Sequence, residues 1–172
     1  MQFKDLLRGT VLLVAVEATG LAAISAVSVN ATGEASLAAL TVGWWIAAII
    51  GGLWLGRPTR TRRALAEPLA KARTATQLPA ESPARIAIAR LWPVGVFAIA
   101  AGALAPLFPQ VPAIATGFAL GVAIAWRNRE AAVTAVEERD GVCFYVEHGS
   151  AFDPVKLIRT PGLMRGAPAP GA

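Results

Sequence analysis

The sequence has little of what enzymes use for chemistry. It contains one cysteine, Cys143, one histidine, His148, and one tyrosine, Tyr145. A lone cysteine excludes an internal disulfide and a zinc site built from several thiolates, and it leaves the redox compartment unconstrained. His148 has Cys143 and Asp153 near it, but the spacing matches no metal-ligand pattern, so no metal site is expected. Glycine-rich phosphate loops, nucleophile elbows and Walker patterns are missing too. These gaps predict a protein without enzymatic activity or cofactor, and nothing in the sequence points to nucleic acid.

Charge is nearly missing from four long stretches, about 10–29, 36–55, 91–108 and 111–126. The 172 residues are 55 % hydrophobic, too apolar for a soluble domain of this size. A hydrocarbon core of about 30 Å takes roughly twenty helical residues at about 1.5 Å each. The chain therefore reads as an all-α membrane protein with four transmembrane helices, the last one shortest. The first stretch shares features with a secretory signal, since Lys4 and Arg8 precede it and Ala26 and Ser28 close it. Its length and the Glu17 within it favour a retained helix. Ser82-Pro83 predicts an N-cap and first turn that start the third helix before its span begins. Pro93 predicts a kink near that end, and Pro106, Pro109 and Pro112 predict a tight turn into the fourth helix.

Lysine and arginine are missing from the two turns around 30–35 and 108–111, whose only charge is Glu34. The 57–90 connection carries eight: Arg57, Arg60, Arg62, Arg63, Lys71, Arg73, Arg85 and Arg90. Lys4, Arg8, Arg127 and Arg129 fall on the same side. The positive-inside rule then puts both termini in the cytoplasm, in a multi-pass plasma-membrane protein. Trp54, Trp92 and Trp126 sit at the predicted cytoplasmic ends of their spans, as interfacial anchors would. Arg57, Arg60, Arg62 and Arg63 suit anionic lipid head groups, or serve only to fix orientation. Ala64 to Thr76 predicts a short surface helix interrupted at Pro68.

The domain reading is a membrane unit over 1–130 that includes the basic loop 57–90, a small cytoplasmic tail over 131–160, and disorder over 161–172. In the tail, Asp140-Gly141 predicts a type I′ hairpin turn. Val142, Phe144 and Val146 would share one face of the second strand, and Val155 to Arg159 could add a third. So small a β-hairpin sheet needs a partner surface: the 57–90 loop, the membrane or another protein.

Glu17 is an acid inside the first span. A carboxylate there costs a few kcal/mol, so protonation, hydrogen bonding within the bundle or a water-filled path is expected. Thr19, Thr41, Trp44 and Trp45 are candidate partners. Gly117 and Gly121 form a GxxxG pattern, as do Gly52 and Gly56, which suits close helix packing within the chain or in a homo-oligomer.

The tail EERDGVCFYVEHGSAFDPVKLIRTPG, following four short spans, resembles that of small uncharacterised four-helix membrane proteins of high-GC Gram-positive bacteria. The resemblance implies a plasma-membrane location and carries over no catalytic residue. The residues together predict an accessory or assembly subunit whose tail contacts a membrane-protein partner. A small transporter or channel using Glu17 is the alternative.

Overall fold

The computed structural model describes residues 1–75 and 82–161, Pro161 by its backbone alone. The order of elements is α1 (Phe3–Thr32), α2 (Ala35–Leu55), α3 (Pro58–Ala70), β1 (Arg73–Thr74), α4 (Pro83–Ala103), α5 (Gln110–Trp126), α6 (Arg129–Asp140), β2 (Val142–Val146) and β3 (Leu157–Pro161). The segment 162–172, for which the sequence predicts disorder, lies outside the described residues.

Among the described residues three helices, α1, α2 and α4, are long and apolar enough to cross a membrane, which suggests a multi-pass membrane protein. Their exposure fits lipid as the surrounding solvent. α2 buries only Thr41 and Gly52 and presents Leu40, Val42, Ile46 and Ile50 outward. In water that surface would be an aggregation site, whereas in hydrocarbon it costs nothing. α5 is different. It has 17 residues, about 25 Å, and lies among α1, α2 and α4. It buries Ala113, Ala115, Thr116 and Gly117, whose small side chains let the neighbouring helices approach closely.

The helix bounds depart from the sequence expectations in ways that have causes. α1 begins at Phe3 rather than near residue 10, because Phe3, Leu6 and Leu7 find apolar partners outside the bundle. It ends where Gly33 adopts φ 68°, with its N–H donating to Asn30 O. α4 starts at Pro83 after an extended Ser82, as predicted, but stops at Ala103 and not at 108. Pro106 has no N–H to donate and disfavours helical geometry at Ala105. α3 carries Pro68 without interruption and ends two residues later.

The sheet has the order β1-β3-β2. β2 and β3 are antiparallel, from Val142↔Pro161 to Val146↔Leu157, and β1 runs parallel to β3 with Arg73 opposite Ile158. The predicted hairpin at Asp140-Gly141 is corrected here. Residues Arg129–Asp140 form α6, and Gly141, at φ 61° and ψ 36°, is its left-handed C-cap. A type I′ turn needs positive φ at both central residues, and among the described residues only glycines have it. β2 therefore pairs with β3 across a longer loop.

The sheet has two partner surfaces within the chain. The 57–90 loop supplies β1, Leu65 and Ile86. The N-terminus supplies the other: Gln2 bridges to Tyr145, and the Val146 N–H donates to Met1 O at 3.0 Å. Phe3, Leu6, Leu7, Leu65, Ile86, Val133, Val142, Phe144, Val146 and Leu157 close a single apolar core beside the bundle.

Candidate functional site

Glu17 faces the seam between α1 and α4. Its Oε1 lies 4.0 Å from where a Cβ on Gly95 would stand, and among the described residues it has no hydrogen-bond partner. Three of the side chains that the sequence nominated as its partners are engaged elsewhere. Trp44 Nε1 donates to Ile114 O at 3.1 Å, and Trp45 Nε1 donates to Ala113 O at 2.9 Å. The Thr19 hydroxyl bonds back to Ala15 O. The α2 indoles are thus staples onto α5. Ser25 Oγ, also on α1, is buried and likewise without a partner among the described residues.

Gly117 and Gly121 lie in the seam between α5 and α2. A Cβ on Gly117 would meet the Trp44 indole, and one on Gly121 would lie 3.4 Å from Ala48 O. On the opposite wall, a Cβ on Gly52 would stand 2.7 Å from Gly121 O, and one on Gly56 2.8 Å from Ile124 O. The two GxxxG patterns therefore share one seam but are offset along it, with Gly52 against Gly121 and Gly56 against Ile124 and Ala125. Asn128 Nδ2 closes the same seam by donating to Gly56 O at 2.8 Å.

The interfacial residues gather at one end of the bundle. The Arg60 guanidinium lies 3.6 Å over the Trp54 ring, and Arg129 lies 3.9 Å over Trp126. Both are cation–π contacts, of about 0.5–1 kcal/mol at exposed sites. Trp92 meets Phe152 edge-on at 6.2 Å. Arg57 precedes the first turn of α3, and Arg57, Arg60, Arg62 and Arg63 are all exposed. Burial pulls the Arg129 guanidinium below its ordinary value, yet arginine stays charged at any physiological pH.

Four further polar contacts escaped the sequence reading. Glu137, 6 % exposed, accepts the Phe144 N–H at 2.9 Å and pairs with Lys4 Nζ at 3.3 Å. Burial acts to lower the Lys4 amine, and the nearby acidic groups, Glu137 foremost, together more than offset it, so the amine sits above its ordinary value. Arg90 donates to Asp153 O and Glu147 O, pinning the 147–153 loop to α4. Lys4 and Glu137 are 133 positions apart, and only the fold brings them together.

A cavity of about 730 Å³ opens where α1, α3, α5 and β3 converge. Its lining is mostly apolar, with basic residues at the edge. No group of His, Cys, Asp and Glu among the described residues could hold a metal ion. Comparison with protein families, with curated proteins and with solved structures returns no match for this chain.

Proposed function

We propose that this chain is a four-span, non-enzymatic accessory or assembly subunit with both termini in the cytoplasm, whose folded cytoplasmic face receives a partner protein. The observation that carries it is the packing of the N-terminus on the tail. Met1 and Gln2 pair with β2, and Lys4 pairs with Glu137 of α6. On this reading the N-terminus and the tail strands share one side of the membrane, which calls for an even number of crossings between them. α1, α2 and α4 make three, and α5 supplies the fourth. Its shortfall of about 5 Å costs fractions of a kcal/mol per Å, which local bilayer thinning can absorb.

The platform on this side is built from four separate segments and continuous with α1, so a partner bound to it would be held rigidly against the bundle. Phe152, 80 % exposed, stands at its rim beside Trp92. Crosslinking mass spectrometry on native membranes should return a recurrent partner linked through Lys156 or Lys71. Recovery of no stoichiometric partner by the full chain in mild detergent would contradict the assembly role.

A second reading rests on Glu17, an acid facing a helix seam with one oxygen unpaired. A proton- or cation-conducting path there predicts pH-dependent flux in proteoliposomes that Glu17→Gln abolishes. Flux that is absent, or unchanged by the substitution, removes it.

A further inference from the structure

We infer that the cavity between α1, α3 and β3 is a binding site for one anionic phospholipid, with its phosphate at the basic rim and its glycerol and upper acyl chains inside. The inner wall begins at the bilayer boundary. Thr10 opens the apolar run of α1, Trp126 closes α5, and both line the cavity. Phe3, Leu6, Leu7 and Leu157 make the rest of the interior apolar. The rim carries Lys71, Arg73, Arg129 and Lys156 against one acid, Glu67, which Lys71 neutralises at 2.6 Å. Three cations remain for a ligand. An apolar interior under a cationic rim matches an anionic amphiphile and opposes a soluble sugar or a cationic peptide.

A lipid also has a route in. A second cavity of about 540 Å³ shares Ala64, Trp126 and Arg129 with the first and reaches Leu55 and Ala125 at the ends of two bundle helices. Arg60 and Arg63 line this entrance. A head group can thus pass from the leaflet beneath α3 without leaving basic surroundings. Arg129 lies between the two chambers, held over the Trp126 ring.

The test uses the full chain in mixed micelles holding equal amounts of phosphatidylglycerol and phosphatidylcholine, with retained lipid read by native mass spectrometry. The wild type should retain phosphatidylglycerol about tenfold or more over phosphatidylcholine, as two or more interfacial cations at about 1 kcal/mol each imply. The double change Arg73→Gln with Lys156→Gln removes two exposed cations and should lower the preference about tenfold or more. Arg129→Gln removes one and should lower it about fivefold. The control pair Arg85→Gln with Arg159→Gln removes equal charge outside the cavity and should leave it intact. Equal retention of the two lipids by the wild type overturns the proposal. So does an equal loss in the control pair, which would mean diffuse attraction, or no loss in the rim variants. Displacement of the lipid by millimolar glycerol phosphate or inorganic phosphate would overturn it in favour of a soluble anion.

Discussion

Two adjacent glycines in α2 separate packing from composition. Gly51 has nothing within 4 Å of an added Cβ, whereas Gly52 would put one 2.7 Å from Gly121 O and 3.1 Å from Ile124 Cβ. The colliding atom is backbone, so α2 and α5 must move apart. Gly52→Ala should destabilise the bundle by about 1–3 kcal/mol, the usual cost of overpacking. Gly51→Ala should stay within about 1 kcal/mol of the wild type and tend to stabilise, because alanine favours the helix. Thermal unfolding in detergent compares them directly, and equal midpoints would mean that the seam is looser than its geometry. The buried Glu137 gives a second residue-scale expectation. Glu137→Ala strands the Phe144 N–H and should cost about 1–3 kcal/mol, while Glu137→Gln keeps that acceptor and costs less. The paired amine of Lys4 sits above the ordinary lysine value of 10.5 in the folded chain. Its contribution is therefore fully present below that pH and fades as pH rises through the raised value. Lys4→Met should remove this alkaline loss from the pH–stability curve, and a curve of unchanged shape would show that the pair contributes nothing.

At the scale of elements, α1 is the part that joins two environments. Its 30 residues run about 45 Å, with Phe3, Leu6 and Leu7 in the platform core and Val14, Ala18 and Leu21 inside the bundle. One continuous helix fixes the angle between those two stripes. Inserting one alanine after Arg8 turns the first stripe by about 100° relative to the second. Either stripe can remain buried, but not both, so the tail should become sensitive to protease while the bundle stays intact. Equal protection in the insertion variant would mean that α1 bends freely near Gly9. Much at this scale was legible in the sequence, for nameable reasons. The alternation of Val142, Phe144 and Val146 on the buried face of β2 follows from the strand period. The positive φ of Gly141 was also readable, since Asp-Gly advertises it. Its use as a helix cap was not, because a helical reading extends only through REAAV, and VTAVEERD has no clean apolar stripe to carry it on to Asp140. The burial of Phe3, Leu6 and Leu7 was hidden by their position before the span, where flanking lysine and arginine suggest only an interfacial anchor. The engagement of Trp44 and Trp45 with α5 carbonyls depends on which helices are neighbours, and the order of segments does not encode that.

For the whole molecule, the side on which the tail lies is the consequence that reaches furthest. In the proposed topology, the arginine count and the tryptophan positions support the orientation, and the contact between N-terminus and tail supports an even number of crossings. These are independent, since the first concerns the connections and the second only the two ends. Cys143, partly exposed and the sole cysteine, makes the parity measurable without altering the chain. In intact cells a membrane-impermeant maleimide should leave Cys143 unlabelled, and permeabilised cells should label it. In a Cys143→Ala background, Glu34→Cys should label from outside and Arg57→Cys should not, because the turn after α1 and the start of α3 lie at opposite ends of α2. If α5 stopped short and returned, Cys143 would label together with Glu34→Cys, and Lys4 could not reach Glu137. Labelling of both Cys143 and Glu34→Cys in intact cells would therefore remove the fourth crossing, the platform and the cytoplasmic partner surface in one result. Protection of Cys143 there, with Glu34→Cys accessible, would leave α5 as a short helix that crosses because longer neighbours surround it.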